Sequence, residues 1–167
     1  MENEELKPGE CTEIVFKETE YDVLERKLIL LSDPHDVYKA VAEWIIRRVH
    51  SGFVMFYADI RGSDTKIQYL IKMKDEECDP ESYVTERREA DAGYDVAFFH
   101  PSGCLSLPYK PRQTSIGFIY LGPSSDGSNY TREQTKRLMP VIRILNKALL
   151  YCEADMTREE RNRLQDA

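Results

Sequence analysis

The segment LPYKPRQTSIGFIYLGPSSDGSNYTREQ, which spans residues 107–134, decides the fold of this chain. It opens with Leu107-Pro108-Tyr109, meets a polar break at Lys110 to Ser115, and continues in the apolar run Ile116 to Pro123. Residues 124–129 are Ser, Asp, Gly and Asn, which favour turns through positive φ values or local side-chain hydrogen bonds. The segment therefore predicts two strands joined by a turn and followed by a loop.

A long helix is predicted to follow from Thr131. Thr131 and Gln134 have the spacing of a capping box, in which each side chain binds a free backbone N–H of the first turn. Pro140 lies inside this helix and should kink it, because its ring removes a hydrogen bond to the Lys136 carbonyl. One broad face of the helix is apolar and carries Leu138, Val141, Ile142, Leu145, Ala148, Leu149 and Cys152.

Two residues inside the predicted strands constrain their packing. Pro108 has no N–H to donate, so its strand should lie at an edge of the sheet or be bulged at that point. Gly117 lies in the middle of the next strand and indicates the close approach of a ring or of another backbone.

This order of elements, with these residues, resembles the C-terminal half of a GAF domain, particularly those of bacterial sensor kinases and second-messenger enzymes. In that family a Pro-centred strand pairs with an xGxxxLG strand, which runs through an SGxxYTxE loop into the closing helix. The resemblance implies an α+β, PAS-related fold. Its central antiparallel sheet would carry the N- and C-terminal helices on one face and a variable lid over a ligand cavity on the other.

Helical and turn signals upstream agree with that arrangement. A stripe of Tyr21, Leu24, Leu28 and Leu31 indicates a first helix, although Leu28 to Leu31 would also suit a buried strand. Asp33 and Pro34 predict the start of a second helix that ends near Gly52, which we expect in a left-handed conformation. Before these helices, Cys11 to Phe16 has the composition of a short strand.

Two strands and a variable insert are predicted between the second helix and the deciding segment. Phe53 to Ala58 is apolar on both faces, and Arg61 to Asp64 suits a hairpin turn. Ile67, Tyr69, Ile71 and Met73 then alternate with polar residues as in a half-buried strand. In the insert, Asp79-Pro80 predicts a short helix, Tyr94 to Phe99 a strand, and His100 to Gly103 a turn.

Composition limits the class of protein. The 167 residues suit one domain: an acidic flexible tail at 1–10, a GAF-like domain at 11–155 and a polar helical extension at 156–167. A net charge of −7 argues against nucleic-acid and anionic-membrane partners. The four cysteines fit no zinc spacing, and no apolar run would span a bilayer, so we expect free thiols and a cytoplasmic location.

Catalytic and metal-binding signatures are absent from the sequence. There is no GxSxG, HExxH or Walker loop, and the three histidines lie in different settings, so we expect no enzymatic activity and no metal site. His50, near a helix end, is interpreted as a cation at the negative end of the helix dipole. Cys104, after Ser102-Gly103, raises the alternative of a thiol-based redox sensor or of an enzyme using Cys104 or His100.

The predicted function is small-molecule sensing by a regulatory domain without catalytic activity. No cofactor is indicated, and the ligand is unidentified. Arg61 and Arg112 could recognise an anion if they lay near the cavity mouth. The candidate cavity residues are Tyr57, Asp59, Tyr69, Phe98, His100, Cys104, Tyr109 and Tyr120.

The terminal helices are predicted to pass the signal on, to an output domain or to a partner protein. The resemblance to signalling GAF domains also implies a homodimer formed by the first and last helices. The candidate interface residues are Leu138, Ile142, Leu145, Leu149 and Cys152. The alternative is a ligand-free GAF scaffold, with a cavity filled by its own Tyr and Phe side chains, that serves only dimerisation or protein docking.

Overall fold

The computed structural model describes residues 18–62, 64–73, 79–90, 93 and 96–165, and side chains within residues 20–155 of these ranges. The predicted tail at 1–10 and the predicted strand at Cys11 to Phe16 lie outside the described residues. The elements in chain order are α1 (Glu18–Ile29), α2 (Pro34–Val49), β1 (Phe53–Ala58), β2 (Ile67–Lys72), α3 (Pro80–Glu89), β3 (Phe98–Phe99), β4 (Leu105–Arg112), β5 (Ser115–Leu121) and α4 (Arg132–Gln165).

The five strands form one antiparallel sheet in the order β2-β1-β5-β4-β3. Its inner face packs on α2 and α4, and α1 packs on these two helices, in a core that includes Val54, Phe56 and Leu107. Its outer face packs on α3 in a smaller cluster formed by Phe53, Met55, Val84, Cys104 and Tyr120. The predicted α+β architecture, with terminal helices on one face and the insert on the other, is confirmed.

The N-terminal helices follow the sequence signals except at one end. α1 is a helix, so the alternative of a buried strand from Leu28 to Leu31 is wrong. α2 begins as predicted, with the His35 N–H donating to Asp33 Oδ1 at 2.9 Å. At its other end the left-handed residue is His50, with φ 55°, and not Gly52. Because α2 already ends at Val49, the reversal falls on the next residue, and the Gly52 N–H instead donates to Pro123 O at 3.0 Å.

A bulge divides the side chains of β2 between the two faces. Tyr69 pairs with Phe56, but Ile67 pairs with Tyr57, so one extra residue, Gln68, is accommodated between them. Tyr69 therefore packs in the inner core, whereas Ile67 joins the outer cluster. The prediction that Ile67 and Tyr69 share a face was wrong for this reason.

The β4–β5 hairpin is longer than predicted. β4 continues through Arg112, which pairs with Ser115, so the polar break shrinks to a turn at Gln113 and Thr114. A register shift after Tyr109 accommodates Lys110 to Arg112. Pro108 was predicted at an edge of the sheet or at a bulge. It pairs with Phe118 of β5, and β3 pairs only with Leu105 and Ser106, so the other side of β4 is an edge at Pro108.

The capping box at the start of α4 forms as predicted. The Thr131 N–H donates to Gln134 Oε1 at 2.8 Å, and the Gln134 N–H donates to Thr131 Oγ1 at 3.2 Å. α4 runs beside α1 in the same direction, since Tyr21 donates to Arg137 O at 2.8 Å and Leu31 O lies 3.9 Å from Cys152 Sγ. Pro140 lies inside the 34-residue helix and does not end it.

The structure places the five candidate interface residues of α4 in the core of a single chain. Each is at most 4% exposed, because α4 lies against β4, α1 and α2. A second copy could not reach them without displacing this packing. The residues concerned are Leu138, Ile142, Leu145, Leu149 and Cys152.

Candidate functional site

A cleft of about 590 Å³ opens between α3 and the outer face of β1 and β5. Its volume is in the range of small-molecule sites. Apolar side chains form much of its wall, and two tyrosines, two arginines, a threonine and an aspartate add polar groups. The lining residues are Tyr57, Ala58, Asp59, Val84, Arg87, Arg88, Thr114, Ile116, Phe118 and Tyr120.

Six of the eight candidate cavity residues lie on the side of the cleft. Tyr57, Asp59 and Tyr120 line it directly. Cys104 is buried in the outer cluster beside Tyr120, and the His100 ring lies 4.5 Å from Phe98 and 5.8 Å from Tyr120. These residues come together because β1, β3, β4 and β5 turn alternate side chains to the same outer face.

Tyr69 and Tyr109 are not brought to the cleft. Tyr109 packs in the inner core, where its hydroxyl lies 3.2 Å from that of Tyr38. Tyr69 faces the same side, with its ring 5.2 Å from that of His35. Tyr69 lies opposite Phe56, and Tyr109 lies opposite Gly117. Phe56 and Gly117 each precede a cleft residue by one position, so the alternation along a strand turns this row of side chains to the helices.

Four residues, Glu86, Arg87, His100 and Ser106, join α3 to the sheet by hydrogen bonds, and we call them the α3 tether. His100 Nδ1 lies 2.7 Å from Glu86 Oε2, and His100 Nε2 lies 2.9 Å from Ser106 Oγ. Arg87 Nη1 donates to Ser106 Oγ at 2.6 Å. The Ser102 hydroxyl adds a bond to Glu86 Oε2 at 3.1 Å.

Hydrogen donation through the tether runs in one direction. Burial lowers the pKa of His100, with the Arg87 guanidinium adding to the effect and the bond to Glu86 opposing it, which favours a neutral ring near neutral pH. A carboxylate only accepts, so Nδ1 carries the proton and Nε2 accepts from the Ser106 hydroxyl. Arg87 therefore donates to Ser106, Ser106 to His100, and His100 to Glu86.

The Ser106, His100 and Glu86 distances are those of a serine-nucleophile triad, but the setting is not. Ser106 has no exposed surface, and its oxygen already accepts the guanidinium bond from Arg87. A nucleophile needs an open approach to its oxygen, which Ser106 lacks. The arrangement is suited to holding α3 against the sheet.

Arg87 carries an unusually placed charge. The residue is 4% exposed, and its terminal nitrogens donate to Ser106 Oγ and to the Ser106, Gly93 and Val96 carbonyls. The Phe118 ring lies 4.0 Å from its guanidinium carbon. Burial lowers the pKa of Arg87, and no carboxylate among the described residues lies within ion-pair distance.

Sequence reasoning missed most of the tether and several residues of the cleft wall. His100 was predicted, but Glu86, Arg87, Arg88, Ser106 and Phe118 were not assigned to the site. The sequence contains one indication for Arg87, because it lies on the same helical stripe as Tyr83 and Val84 and should therefore face the sheet with them. Ser106 offered none, since a serine in a strand is ordinary.

Comparison with known proteins gives structural similarity without a sequence match. No protein-family model matches the chain. No curated protein matches it either. The chain is similar to the crystal structure of a GAF domain/HD domain protein from Geobacter sulfurreducens, with a TM-score of 0.47 and 14% sequence identity, over 76% of this chain and 96% of that chain. GAF is also the family that residues 107–150 resemble, but at this identity and TM-score the match carries no ligand, partner or residue role over to this chain.

Two kinds of feature are absent from the described residues. Within these ranges, none of the helices is both long and apolar enough to cross a membrane. Across the same ranges, His, Cys, Asp and Glu side chains form no group of three or more that could hold a metal ion.

Proposed function

We propose that this chain is a non-catalytic regulatory domain of the GAF type, and that it senses a small molecule in a cytoplasmic signalling protein. The cleft beneath α3 is the proposed binding site, and α4 is the proposed output to a following domain or partner protein. The observation that carries the proposal is the combination of an open cleft with a short covering helix, α3, whose attachment to the sheet depends on hydrogen bonds as well as on apolar packing.

The attachment of α3 makes it responsive to a ligand. Its fully buried residues are Val84 and Arg87, and Tyr83 packs against the outer cluster, so two apolar side chains and a hydrogen-bonded guanidinium anchor it. A helix with few buried apolar groups opens at low free-energy cost, which suits an element that must move. A molecule that bound α3 and the sheet together would therefore favour one position of α3.

Strand β5 offers a path from the cleft to α4. Phe118 and Tyr120 line the cleft, while the alternate residues Ile119 and Leu121 lie in the core that α4 shares. A shift of β5 on one face therefore changes the packing on the other. This is the proposed route by which occupancy of the cleft alters α4.

A cleft-filling variant tests the proposal. Ile116 is 49% exposed on the cleft wall, so Ile116→Trp should fill the cleft without disturbing the core. Met139→Trp, at an exposed position of α4, is the matched control. A metabolite panel screened by thermal shift should give compounds that stabilise the wild type and Met139→Trp but not Ile116→Trp. The proposal fails if every stabilising compound acts equally on both variants, or if none stabilises the wild type.

Exposed apolar residues favour a second candidate function, a scaffold that docks a second copy of this chain. Leu30 is 85% exposed, Ile29 is 54% exposed, and Tyr151 on α4 is 47% exposed. The end of α1 lies beside this part of α4, as the contact between Leu31 and Cys152 shows. Exposed apolar groups on adjoining elements are typical of interaction surfaces.

The oligomeric state tests this second candidate. The double variant Leu30→Glu with Tyr151→Glu should shift a dimer to monomer in analytical ultracentrifugation. Met139→Glu is the control, because Met139 is exposed near the other end of α4. A wild type that stays monomeric at all concentrations would reject the scaffold.

A further inference from the structure

We propose that the cleft selects an anionic molecule with an aromatic or apolar body. This inference rests on the proposed function, since it assumes that the cleft takes a ligand at all. It adds the chemical class of that ligand, which follows from the charges and hydroxyl groups that line the cleft.

The first step is the buried positive charge of Arg87. The neutral oxygens around it accept from its terminal N–H groups, and no carboxylate in the described part of the chain pairs with it directly. Glu86 of the tether is separated from it by Ser106 and His100. A buried guanidinium without a direct ion pair leaves a positive potential in the adjoining cavity, which would attract an anion.

Because its terminal N–H groups are already used, Arg87 acts as a fixed charge, and other groups must contact the anion directly. Arg88 lines the cleft, is exposed, and has no ion-pair partner among the described residues. Its guanidinium is free to form charge-assisted hydrogen bonds to a carboxylate, sulfonate or phosphate group.

Tyr120 contributes a hydroxyl group to the cleft wall. The residue is 1% exposed and lines the cleft, so most of its ring is buried in the outer cluster. A tyrosine hydroxyl at the wall of a cleft can donate a hydrogen bond to a ligand. A ligand oxygen in the cleft would accept from Tyr120, beside the field of Arg87.

The remaining wall defines the rest of the molecule. Val84, Ile116 and Phe118 present apolar surface, and Asp59 is the one carboxylate among the described lining residues. Two guanidinium groups against one carboxylate make the described part of the lining positive, on a chain whose net charge is −7. A flat apolar body against Phe118, with an anionic group toward Arg88, fits both features.

Two fluorescent probes of similar shape separate the charge from the apolar body. 8-Anilinonaphthalene-1-sulfonate carries a sulfonate, and N-phenyl-1-naphthylamine is its uncharged counterpart. The Kd of each is measured with the wild type and with Arg88→Gln, Tyr120→Phe, Asp59→Asn and the exposed control Arg143→Gln. We expect Arg88→Gln to weaken sulfonate binding about tenfold, the size of one charge-assisted hydrogen bond.

The other variants test whether positive charge and hydrogen-bond donors in the cleft strengthen sulfonate binding. Tyr120→Phe, which keeps the ring, should weaken sulfonate binding several-fold, and Asp59→Asn should strengthen it because it removes a like charge. Arg143→Gln should leave it unchanged. Raising the salt concentration should weaken the sulfonate probe and spare the neutral probe.

The outcomes separate this inference from the proposed function. If Ile116→Trp abolishes binding of both probes, the cleft is a binding site. If the wild type then binds the two probes with equal Kd, and Arg88→Gln changes neither Kd, the cleft does not select anions, and the inference is overturned. If Ile116→Trp affects neither probe, the cleft is not a binding site, and the proposed function fails with it.

Discussion

Gly117 lies opposite Tyr109 in the β4–β5 ladder and leaves room for its ring. A Cβ on Gly117 would come to 2.7 Å from Tyr109 Cε1, 2.7 Å from the Tyr57 carbonyl oxygen and 3.0 Å from Ala58 Cβ. Two different strands therefore close on this position, and one of the contacts is to backbone, which cannot rotate away.

Gly117→Ala should lower the free energy of unfolding by roughly 1–3 kcal/mol, because the new methyl group would collide with Tyr109 and with β1. Urea denaturation measures the change. Thr114→Ala, exposed in the turn of the same hairpin, is the control and should stay within about 0.5 kcal/mol of the wild type. A Gly117→Ala variant as stable as this control would show that the space around position 117 can take a methyl group.

Acid should weaken the α3 tether through His100. Burial and Arg87 hold the folded pKa of His100 below its ordinary value against the opposing Glu86 carboxylate, and the rings of Tyr83, Phe98 and Tyr120 carry no charge. The unfolded chain therefore binds a proton more readily than the folded chain. The free energy of unfolding should therefore fall as the pH drops below about 6.5, the ordinary pKa of histidine in the unfolded chain.

Urea denaturation at a series of pH values measures this slope. His100→Gln should flatten it, whereas His35→Gln and His50→Gln, at exposed positions, should retain it. An unchanged slope in His100→Gln would assign the pH dependence to other groups.

The capping box should account for part of the stability of α4. Thr131→Ala removes the oxygen that accepts from the Gln134 N–H and should cost about 1 kcal/mol. Ser125→Ala, in the same loop, is the control, because its side chain has no hydrogen bond among the described residues. Thermal unfolding followed by circular dichroism compares them, and equal midpoints would mean that the cap adds nothing measurable.

Thiol reactivity tests the redox alternative. Cys104 and Cys152 are each 1% exposed, and burial raises the pKa of Cys152, so both should resist a disulfide reagent in the folded protein. Cys11 and Cys78 lie outside the described residues, so they are replaced by serine for this measurement. We expect reaction only after denaturant is added. Rapid reaction of Cys104 in the folded protein would instead support a thiol sensor.

Local signals predicted the parts of the fold that local chemistry determines. Asp33 and Pro34 define the start of α2, Thr131 and Gln134 define the start of α4, and Gly117 marks a close crossing. Each of these predictions concerns a backbone group or a steric limit that one or two residues decide. The same holds for the burial of β1, since a run that is apolar on both faces needs cover on both sides.

Predictions failed where pairing between strands decided the outcome. The bulge at Gln68 turns Ile67 away from Tyr69, and the continuation of β4 through Arg112 depends on its pairing with Ser115. Neither is visible in the periodicity of one strand. The cleft shows the same limit, because Arg87 and Ser106 are 19 positions apart and meet only when α3 docks on the sheet.

Helix α4 extends well beyond the sheet that it packs on. Its 34 residues extend about 51 Å, while five strands side by side cover only about 24 Å. Cys152 is the last buried side chain among those described, and the helical backbone continues for about 20 Å from there to Gln165. A tilt of about 5° around Cys152 therefore displaces the far end by about 2 Å. A small rearrangement inside the domain is thus enlarged at the end of this rod.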